Sequence, residues 1–165
     1  PLRIAAKVDP ADRTYFEAEI EPLMSHPLVE YVGEISDEEK NDFLGDALAL
    51  VCPYDWPEPF GLVLIEALAC GTPVLAYHRG SIPEILENGR TGFICDTLPE
   101  MMSVVDQIST ISRADCRQVF EERFTVERMA LDYVNVYRQM VGEGRDQLRS
   151  AEGELAGSQI TLDRW

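Results

Sequence analysis

Short apolar runs alternate with amphipathic or polar stretches along the chain. Five runs are compact enough to form strands, at residues 2–6, 28–32, 47–52, 74–77 and 93–95. Elsewhere apolar residues recur at helical spacing, which predicts helices at residues 10–24, 36–44, 61–71, 83–87, 99–111 and 114–124, and a last helix from Thr125 to about Val141. Alternating strands and helices predict an α/β fold, in which a parallel sheet carries helices on both faces.

The loops that follow the predicted strands carry the candidate chemistry. Lys7 follows the first strand, Gly33 and Glu34 follow the second, and residues 53–61 and 77–80 follow the next two. The carboxyl ends of parallel strands lie at one edge of a sheet, where such folds bind their ligands. We therefore expect these loops to converge on one rim.

The stretch between the third and fourth predicted strands is the most distinctive. Prolines at positions 53, 57 and 59 forbid regular structure ahead of its helix, and Gly71 closes that helix. Gly61 stands at the helix start and lets a ligand approach the backbone closely. Free N–H groups at a helix start attract anions, so this stretch predicts a phosphate or diphosphate site.

Two carboxylates bracket that helix start. At about 1.5 Å per residue, Glu66 lies roughly 6–8 Å along the axis from the phosphate position, where a carboxylate suits a ribose. Glu58, in the rigid loop, suits a second hydroxylated group, and the whole row describes a nucleotide-diphospho-sugar. Simpler interpretations also fit: Glu66 as a solvated helix residue, and Glu58 as a complement to the positive helix end. Trp56 and Tyr54 either wall the sugar pocket or pack the loop.

Composition and charge narrow the class of protein. A net charge of −16 over 165 residues argues against nucleic-acid binding and against contact with anionic membranes. No apolar run approaches the roughly 20 residues of a membrane span. The four cysteines are widely spaced in apolar segments, so we expect reduced core thiols, no zinc site and a cytoplasmic protein. Because the chain starts at Pro1 on a strand-like segment, we also expect it to be part of a longer protein.

Several segments together resemble the family 4 retaining glycosyltransferases, which have a GT-B fold. The resemblance covers roughly residues 2–141. It rests on these segments: Glu58-Pro59-Phe60-Gly61-Leu62 continued by Glu66-Ala67-Leu68-Ala69-Cys70-Gly71-Thr72-Pro73-Val74, which is similar to that family's E-x7-E signature; Gly80-Ser81-Ile82-Pro83-Glu84; Glu87-Asn88-Gly89-Arg90-Thr91-Gly92-Phe93; and Arg123-Phe124-Thr125.

The resemblance implies that this chain is one half of a GT-B fold, the Rossmann-like carboxyl-terminal half that binds the donor. Residues 1–141 would form that domain without its first strand and helix, and residues 142–165 a poorly ordered tail. The family's G-R-x-x-x-x-K-G segment, which supplies an Arg and a Lys to the diphosphate, would lie upstream. The acceptor-binding amino-terminal domain of the same protein would be the partner, and the fragment alone would be inactive.

The family also implies a reaction and residue roles. The reaction would be metal-independent, cofactor-free transfer of a hexose from a UDP-, GDP- or ADP-sugar to a glycan, lipid or small molecule, with retained configuration. The implied roles are Glu58 at the transferred sugar, Glu66 at the ribose, the backbone of Phe60, Gly61 and Leu62 at the diphosphate, and Gly33, Glu34 and Ile35 at the base. Lys7 is not assigned by the resemblance: from its place at the rim it is either a counter-charge to the diphosphate or a solvated lysine. Two alternatives stay open: a catalytically inactive nucleotide-sugar-binding module, and a nucleotide-sugar epimerase of related fold.

Overall fold

The structure, a computed structural model, describes the backbone of residues 1–157 and the side chains of residues 1–142. The chain divides into two compact units, Pro1–Arg117 and a second unit that begins at Gln118. The first unit contains all the strands and every predicted site residue. The second unit contains the end of one helix and the last helix.

All the strands pair in parallel, in two separate sheets. The strands are β1 (Leu2–Ala5), β2 (Val29–Gly33), β3 (Leu50–Cys52), β4 (Val74–Tyr77) and β5 (Gly92–Cys95). One sheet has the order β1-β2 and the other the order β3-β4-β5. The registers pair Leu2 with Val29, Leu50 with Val74, and Val74 with Gly92. The prediction of a Rossmann-like parallel α/β fold is therefore confirmed, with strands close to the predicted positions.

The described parallel strands form two sheets rather than a single one. In the part of the chain that the structure describes, β1 pairs only with β2, and β3 pairs only with β4 and spans three residues. Each of these strands thus has an edge without a neighbouring strand. The central strand β4 is buried through Val74, Leu75 and Ala76, whereas β1 is partly exposed.

The helices follow the strands in the predicted order. They are α1 (Arg13–Tyr15), α2 (Asp37–Gly45), α3 (Leu62–Ala69), α4 (Ile82–Ile85), α5 (Leu98–Val104), α6 (Arg113–Arg123) and α7 (Val126–Gly157). The capping box that starts α2 is confirmed, because Ser36 and Glu39 exchange both expected hydrogen bonds. None of the helices in the described residues is both long enough and apolar enough to cross a bilayer.

Two predicted helices are irregular. The helix expected over residues 10–24 is instead α1, a π-helical segment at Phe16–Ile20 and a 3-10 segment at Glu21–Ser25. Pro22 lacks an N–H group and crowds the preceding turn, so a regular α-helix cannot continue through it. The helix expected over residues 99–111 passes from α5 into a 3-10 segment at Val105–Thr110, where β-branched residues lower the helical propensity.

The last helix extends past its predicted end. Helix α7 continues to Gly157 rather than ending near Val141. Residues 142–157 belong to α7 in the structure, which does not test the expectation that they form part of a poorly ordered tail. Residues 158–165 lie outside the described residues, so the expectation for them stays a prediction.

One arginine ties together the ends of α2 and α3 that lie away from the predicted rim. The Arg113 guanidinium donates hydrogen bonds to the backbone oxygens of Gly45, Ala47 and Cys70 at 2.7, 2.8 and 3.3 Å. It also donates to the buried hydroxyl of Thr72 at 3.0 Å, and that hydroxyl donates to the backbone oxygen of Leu44. These bonds fix the ends of α2 and α3 relative to β4.

Candidate functional site

The helix start predicted as an anion site has the expected backbone. Gly61 is the residue before α3 and adopts φ 79° and ψ 52°, a left-handed conformation that favours glycine. A Cβ at this position would lie 2.6 Å from Cδ1 of Leu64. The N–H of Leu62, the first helical residue, has no acceptor within its own helix. The loop between β3 and α3 thus presents backbone N–H groups at the carboxyl end of β3.

Glu58 occupies part of this anion site with its own side chain. Its Oε1 accepts hydrogen bonds from the backbone N–H groups of Gly61 at 2.9 Å and Phe60 at 3.4 Å. Its Oε2 accepts one from the indole Nε1–H of Trp56 at 3.2 Å. The simpler interpretation of Glu58, a carboxylate at the positive helix end, is therefore observed. The same contacts show that these amides can donate hydrogen bonds to an anionic group.

The backbone of Glu58 is held from the loop after β4. Its carbonyl oxygen accepts a hydrogen bond from the Ser81 N–H at 2.8 Å. Gly80 has φ +53°, and a Cβ there would overlap the backbone oxygen and nitrogen of Glu58. Arg79 also approaches this loop, with its guanidinium 4.0 Å from the Asp55 carboxylate. Two of the predicted rim loops, residues 53–61 and 77–80, therefore do meet.

Glu66 is not simply a solvated helix residue. It lies one turn into α3 with 37% of its side chain exposed, and its Oε1 is 3.0 Å from Nζ of Lys40 in α2. The same ammonium is 2.9 Å from Oδ1 of Asp37. Hydrogen bonds to two carboxylates raise the pKa of Lys40; the bond to Asp37 has the larger effect and the bond to Glu66 the next largest. In turn, the hydrogen bond from Lys40 lowers the pKa of Asp37. A groove of about 340 Å³ between α2 and α3 is lined by these three side chains, among others.

The residues predicted to border the base lie next to this ion pair along the chain. Gly33 ends β2 with φ +79°, and its carbonyl accepts a hydrogen bond from the N–H of Ala6 at 3.0 Å. Glu34 is exposed and Ile35 half-buried, and α2 begins two residues after Ile35. Through Asp37 and Lys40 the start of α2 is therefore connected to Glu66.

Lys7 has no observed contact with the helix start. It follows β1 and is exposed, and no hydrogen bond or ion pair joins it to α3 among the residues that the structure describes. Its predicted place near the diphosphate remains a prediction.

Sequence reasoning missed three contacts of this region. They are the Lys40–Glu66 ion pair, the indole hydrogen bond from Trp56, and the support of Glu58 by Gly80 and Ser81. The i,i+3 spacing of Asp37 and Lys40 favours their pair, but nothing in a single sequence predicts that Lys40 also reaches a residue 26 positions away.

The described residues contain no group of three or more His, Cys, Asp or Glu side chains placed to hold a metal ion. All four cysteines are free thiols, three buried and Cys70 half-buried. Burial raises the pKa of Cys52 to about 11 and that of Cys116 to about 11. Such thiols are poor nucleophiles at neutral pH, since only the thiolate reacts.

The domain is thus a Rossmann-like α/β unit in which backbone amides at the start of α3 bind an anionic group. The chain belongs to the group 1 glycosyl transferases, whose family model matches residues 4–123. Among curated relatives, N-acetyl-alpha-D-glucosaminyl L-malate synthase of Bacillus anthracis is 30% identical over 98 residues, which are 54% of this chain and 26% of that protein. A probable sucrose-phosphate synthase of Thermosipho melanesiensis is 37% identical over 83 residues, 48% of this chain and 19% of that protein. The chain thus spans about a quarter or less of these two relatives.

Two solved structures have the same fold over most of this chain. Anabaena HepE in complex with UDP superposes with a TM-score of 0.72 at 19% identity, over 83% of this chain and 40% of that chain. Sucrose-phosphate synthase from Thermosynechococcus elongatus superposes with a TM-score of 0.71 at 26% identity, over 86% of this chain and 39% of that chain. The fold is therefore that of part of a GT-B glycosyltransferase.

Proposed function

We propose that this chain is the donor-binding, carboxyl-terminal half of a retaining family 4 glycosyltransferase. The observation that carries the proposal is the start of α3, where the amides of Phe60 and Gly61 bind a carboxylate and Glu66 follows one turn later. Membership of the group 1 glycosyl transferases and the UDP bound in HepE support a nucleoside diphosphate as the natural anion.

In this proposal each site residue has one task. The amides of Phe60, Gly61 and Leu62 hold the diphosphate, and Lys7 offsets its charge. Glu66 accepts hydrogen bonds from the ribose hydroxyls, beside the base at Gly33, Glu34 and Ile35. Glu58 contacts the transferred sugar.

The reaction moves a hexose without inverting its anomeric centre. The bond from the anomeric carbon to the diphosphate oxygen breaks, a bond to the oxygen of an acceptor hydroxyl forms on the same face, and the hydroxyl proton passes to the leaving diphosphate. The leaving diphosphate gains negative charge, which the positive end of α3 stabilises. This chemistry needs no metal at the helix start and no pair of protein carboxylates flanking the bond.

The rest of the protein would supply what the chain lacks. Rossmann folds commonly have the strand order 3-2-1-4-5-6, and the sheets β1-β2 and β3-β4-β5 match that order with strand 1 left out. We propose that an upstream strand pairs with β1 and β3 and joins the sheets. An amino-terminal acceptor domain in a cytoplasmic protein completes the enzyme, and without it the chain is inactive.

The test is a titration of the 15N-labelled chain with UDP, GDP and ADP, followed by backbone amide shifts. We expect the amides of Phe60, Gly61 and Leu62 to move with at least one nucleotide. If all three amides stay unmoved at millimolar concentrations of every nucleotide, the assignment of the site is wrong. If they move but a full-length protein carrying this chain transfers no sugar, the inactive binding module is the better description.

A further inference from the structure

Trp56 does more than pack against its own loop, because it is exposed, stacks on one residue and donates a hydrogen bond to another. Its side chain is 54% exposed, and its ring stacks on Tyr54 with a centroid distance of 4.9 Å and an interplanar angle of 28°. Tyr54 is the half-buried member of the stack, whereas Trp56 is exposed, and this burial raises the pKa of Tyr54. The indole Nε1–H is turned to Oε2 of Glu58 at 3.2 Å.

The hydrogen bonds to Glu58 fix both of its oxygens. Oε1 accepts from the amides of Gly61 and Phe60, and Oε2 accepts from Trp56. An ionised carboxylate has about four acceptor positions, two on each oxygen. The loop therefore uses both positions on Oε1 and leaves one on Oε2. Without the indole, Oε2 would be held only through its covalent bond to the anchored half of the carboxylate.

We propose that Trp56 is a positioning residue that orients Glu58, so that Oε2 accepts a hydrogen bond from one hydroxyl of the transferred sugar. This inference rests on the proposed function, because it takes Glu58 as the sugar contact. The sugar hydroxyl and the indole N–H both donate hydrogen bonds to Oε2, which accepts them. Tyr54 contributes by stacking on the indole and so restricting its orientation.

The hydrogen bond itself is tested first, in the ligand-free chain. The sequence has two tryptophans, Trp56 and Trp165, so Trp56→Phe assigns the indole N–H resonances. We expect Glu58→Gln to move the Trp56 indole resonance upfield, because a neutral amide oxygen is a weaker acceptor than a carboxylate. Glu38→Gln, an exposed carboxylate in α2, is the matched control and should leave it in place. An indole resonance that ignores Glu58→Gln overturns the inference.

The positioning role is tested by comparing two ligands. UDP-glucose, GDP-mannose and ADP-glucose are each titrated beside their own nucleoside diphosphate, in the wild type, Trp56→Phe, Glu58→Gln and the double variant. Phenylalanine keeps a six-membered aromatic ring that can stack on Tyr54. It lacks the five-membered ring of the indole and therefore the N–H group. We expect Trp56→Phe to weaken nucleotide-sugar binding roughly 3- to 10-fold, the range of one hydrogen bond, with nucleoside diphosphate binding unchanged within about twofold.

Two further features of the comparison decide the result. The double variant should bind the nucleotide sugar no more weakly than Glu58→Gln alone, since Trp56 acts through Glu58. Glu38→Gln, the exposed carboxylate in α2, should bind both ligands like the wild type. Equal losses for both ligands, or additive losses in the double variant, overturn the inference while leaving the proposed function intact. A wild-type chain that binds none of the ligands overturns the proposed function, and this inference with it.

Discussion

Glu58 and Gly61 are joined by a hydrogen bond of 2.9 Å, from the Gly61 N–H to Oε1 of the carboxylate. The negatively charged carboxylate of Glu58 thus occupies the Gly61 amide, which we assign to the diphosphate. A bound phosphate must either share this amide with Glu58 or displace the carboxylate. If Glu58 contacts the transferred sugar, as we propose, it has opposite effects on the two parts of the donor, since it binds the sugar and competes with the diphosphate.

The first prediction separates these two effects. In Glu58→Gln, a nucleoside diphosphate should bind as tightly as in the wild type or more tightly, because a competing negative charge is gone. In a full-length protein that carries this chain, the same change should reduce sugar transfer by roughly 100-fold or more, because the sugar is no longer held in its reactive position. Calorimetry and a transfer assay measure the two quantities. A clear loss of nucleoside diphosphate affinity would contradict the competition.

The second prediction concerns the pair of Lys40 and Glu66, at 3.0 Å. If Glu66 binds the ribose hydroxyls, a ribonucleotide should bind roughly 10- to 150-fold more tightly than its 2′-deoxy form, the range of one hydrogen bond to a charged group. Glu66→Gln should lower this ratio strongly, and Lys40→Met should lower it partly, because Glu66 loses the cation that orients it.

Lys7→Met is the matched control for this comparison, since Lys7 and Lys40 are the two lysines of the chain. A charge near the diphosphate affects the ribose and deoxyribose forms alike, so Lys7→Met should weaken both and leave their ratio unchanged. A ratio that stays at its wild-type value in Lys40→Met would mean that Lys40 has no part in holding the ribose.

The local pattern of the sequence predicted the helix start well. The prolines at positions 53, 57 and 59, with Gly61 and Gly71, are local signals, and α3 lies between those two glycines. The contacts that orient the carboxylates depend on how separate elements pack. Lys40 reaches Glu66 only because α2 lies beside α3, and Glu58 is supported by Gly80 only because the loops after β3 and β4 meet. Single-sequence periodicity contains no information on such packing.

The division of the strands between two sheets is likewise not predictable from local patterns. Each strand was recognisable from its own apolar run, but strand pairing is decided between distant segments. β3 could be predicted as a strand, whereas its single pairing with β4 could not. The irregular helix at residues 13–25 differs, because Pro22 is a local signal in the sequence that accounts for the break in the regular α-helix.

The third prediction compares Gly80 and Ser81, the two neighbouring residues that contact the backbone of Glu58. Gly80→Ala should destabilise the chain by about 1–2 kcal/mol from the left-handed backbone alone, and further through overlap with the Glu58 backbone. Ser81→Ala should be neutral or slightly stabilising. Its buried hydroxyl has no hydrogen-bond partner among the described residues, and the N–H that binds Glu58 is retained. Thermal unfolding measures both, and equal destabilisation by the two changes would disprove this account of the loop.

The fourth prediction follows from the buried thiols. Burial raises the pKa of Cys52 from 9.0 to about 11, so the folded chain keeps this proton after the unfolded chain has lost it. The associated stability is fully present below pH 9 and is lost as the pH rises toward 11, on the order of 2 kcal/mol for this thiol.

Cys52→Ala tests the linkage through the slope of stability against pH. The variant should be less stable at neutral pH, since it leaves a small cavity. Its free energy of unfolding should nevertheless fall less steeply than that of the wild type between pH 9 and 11, because one fewer thiol ionises on unfolding. Urea unfolding at a series of pH values gives both slopes. Parallel slopes would show that the Cys52 thiol ionises equally easily in the folded and unfolded chain, in conflict with its burial beside Tyr54.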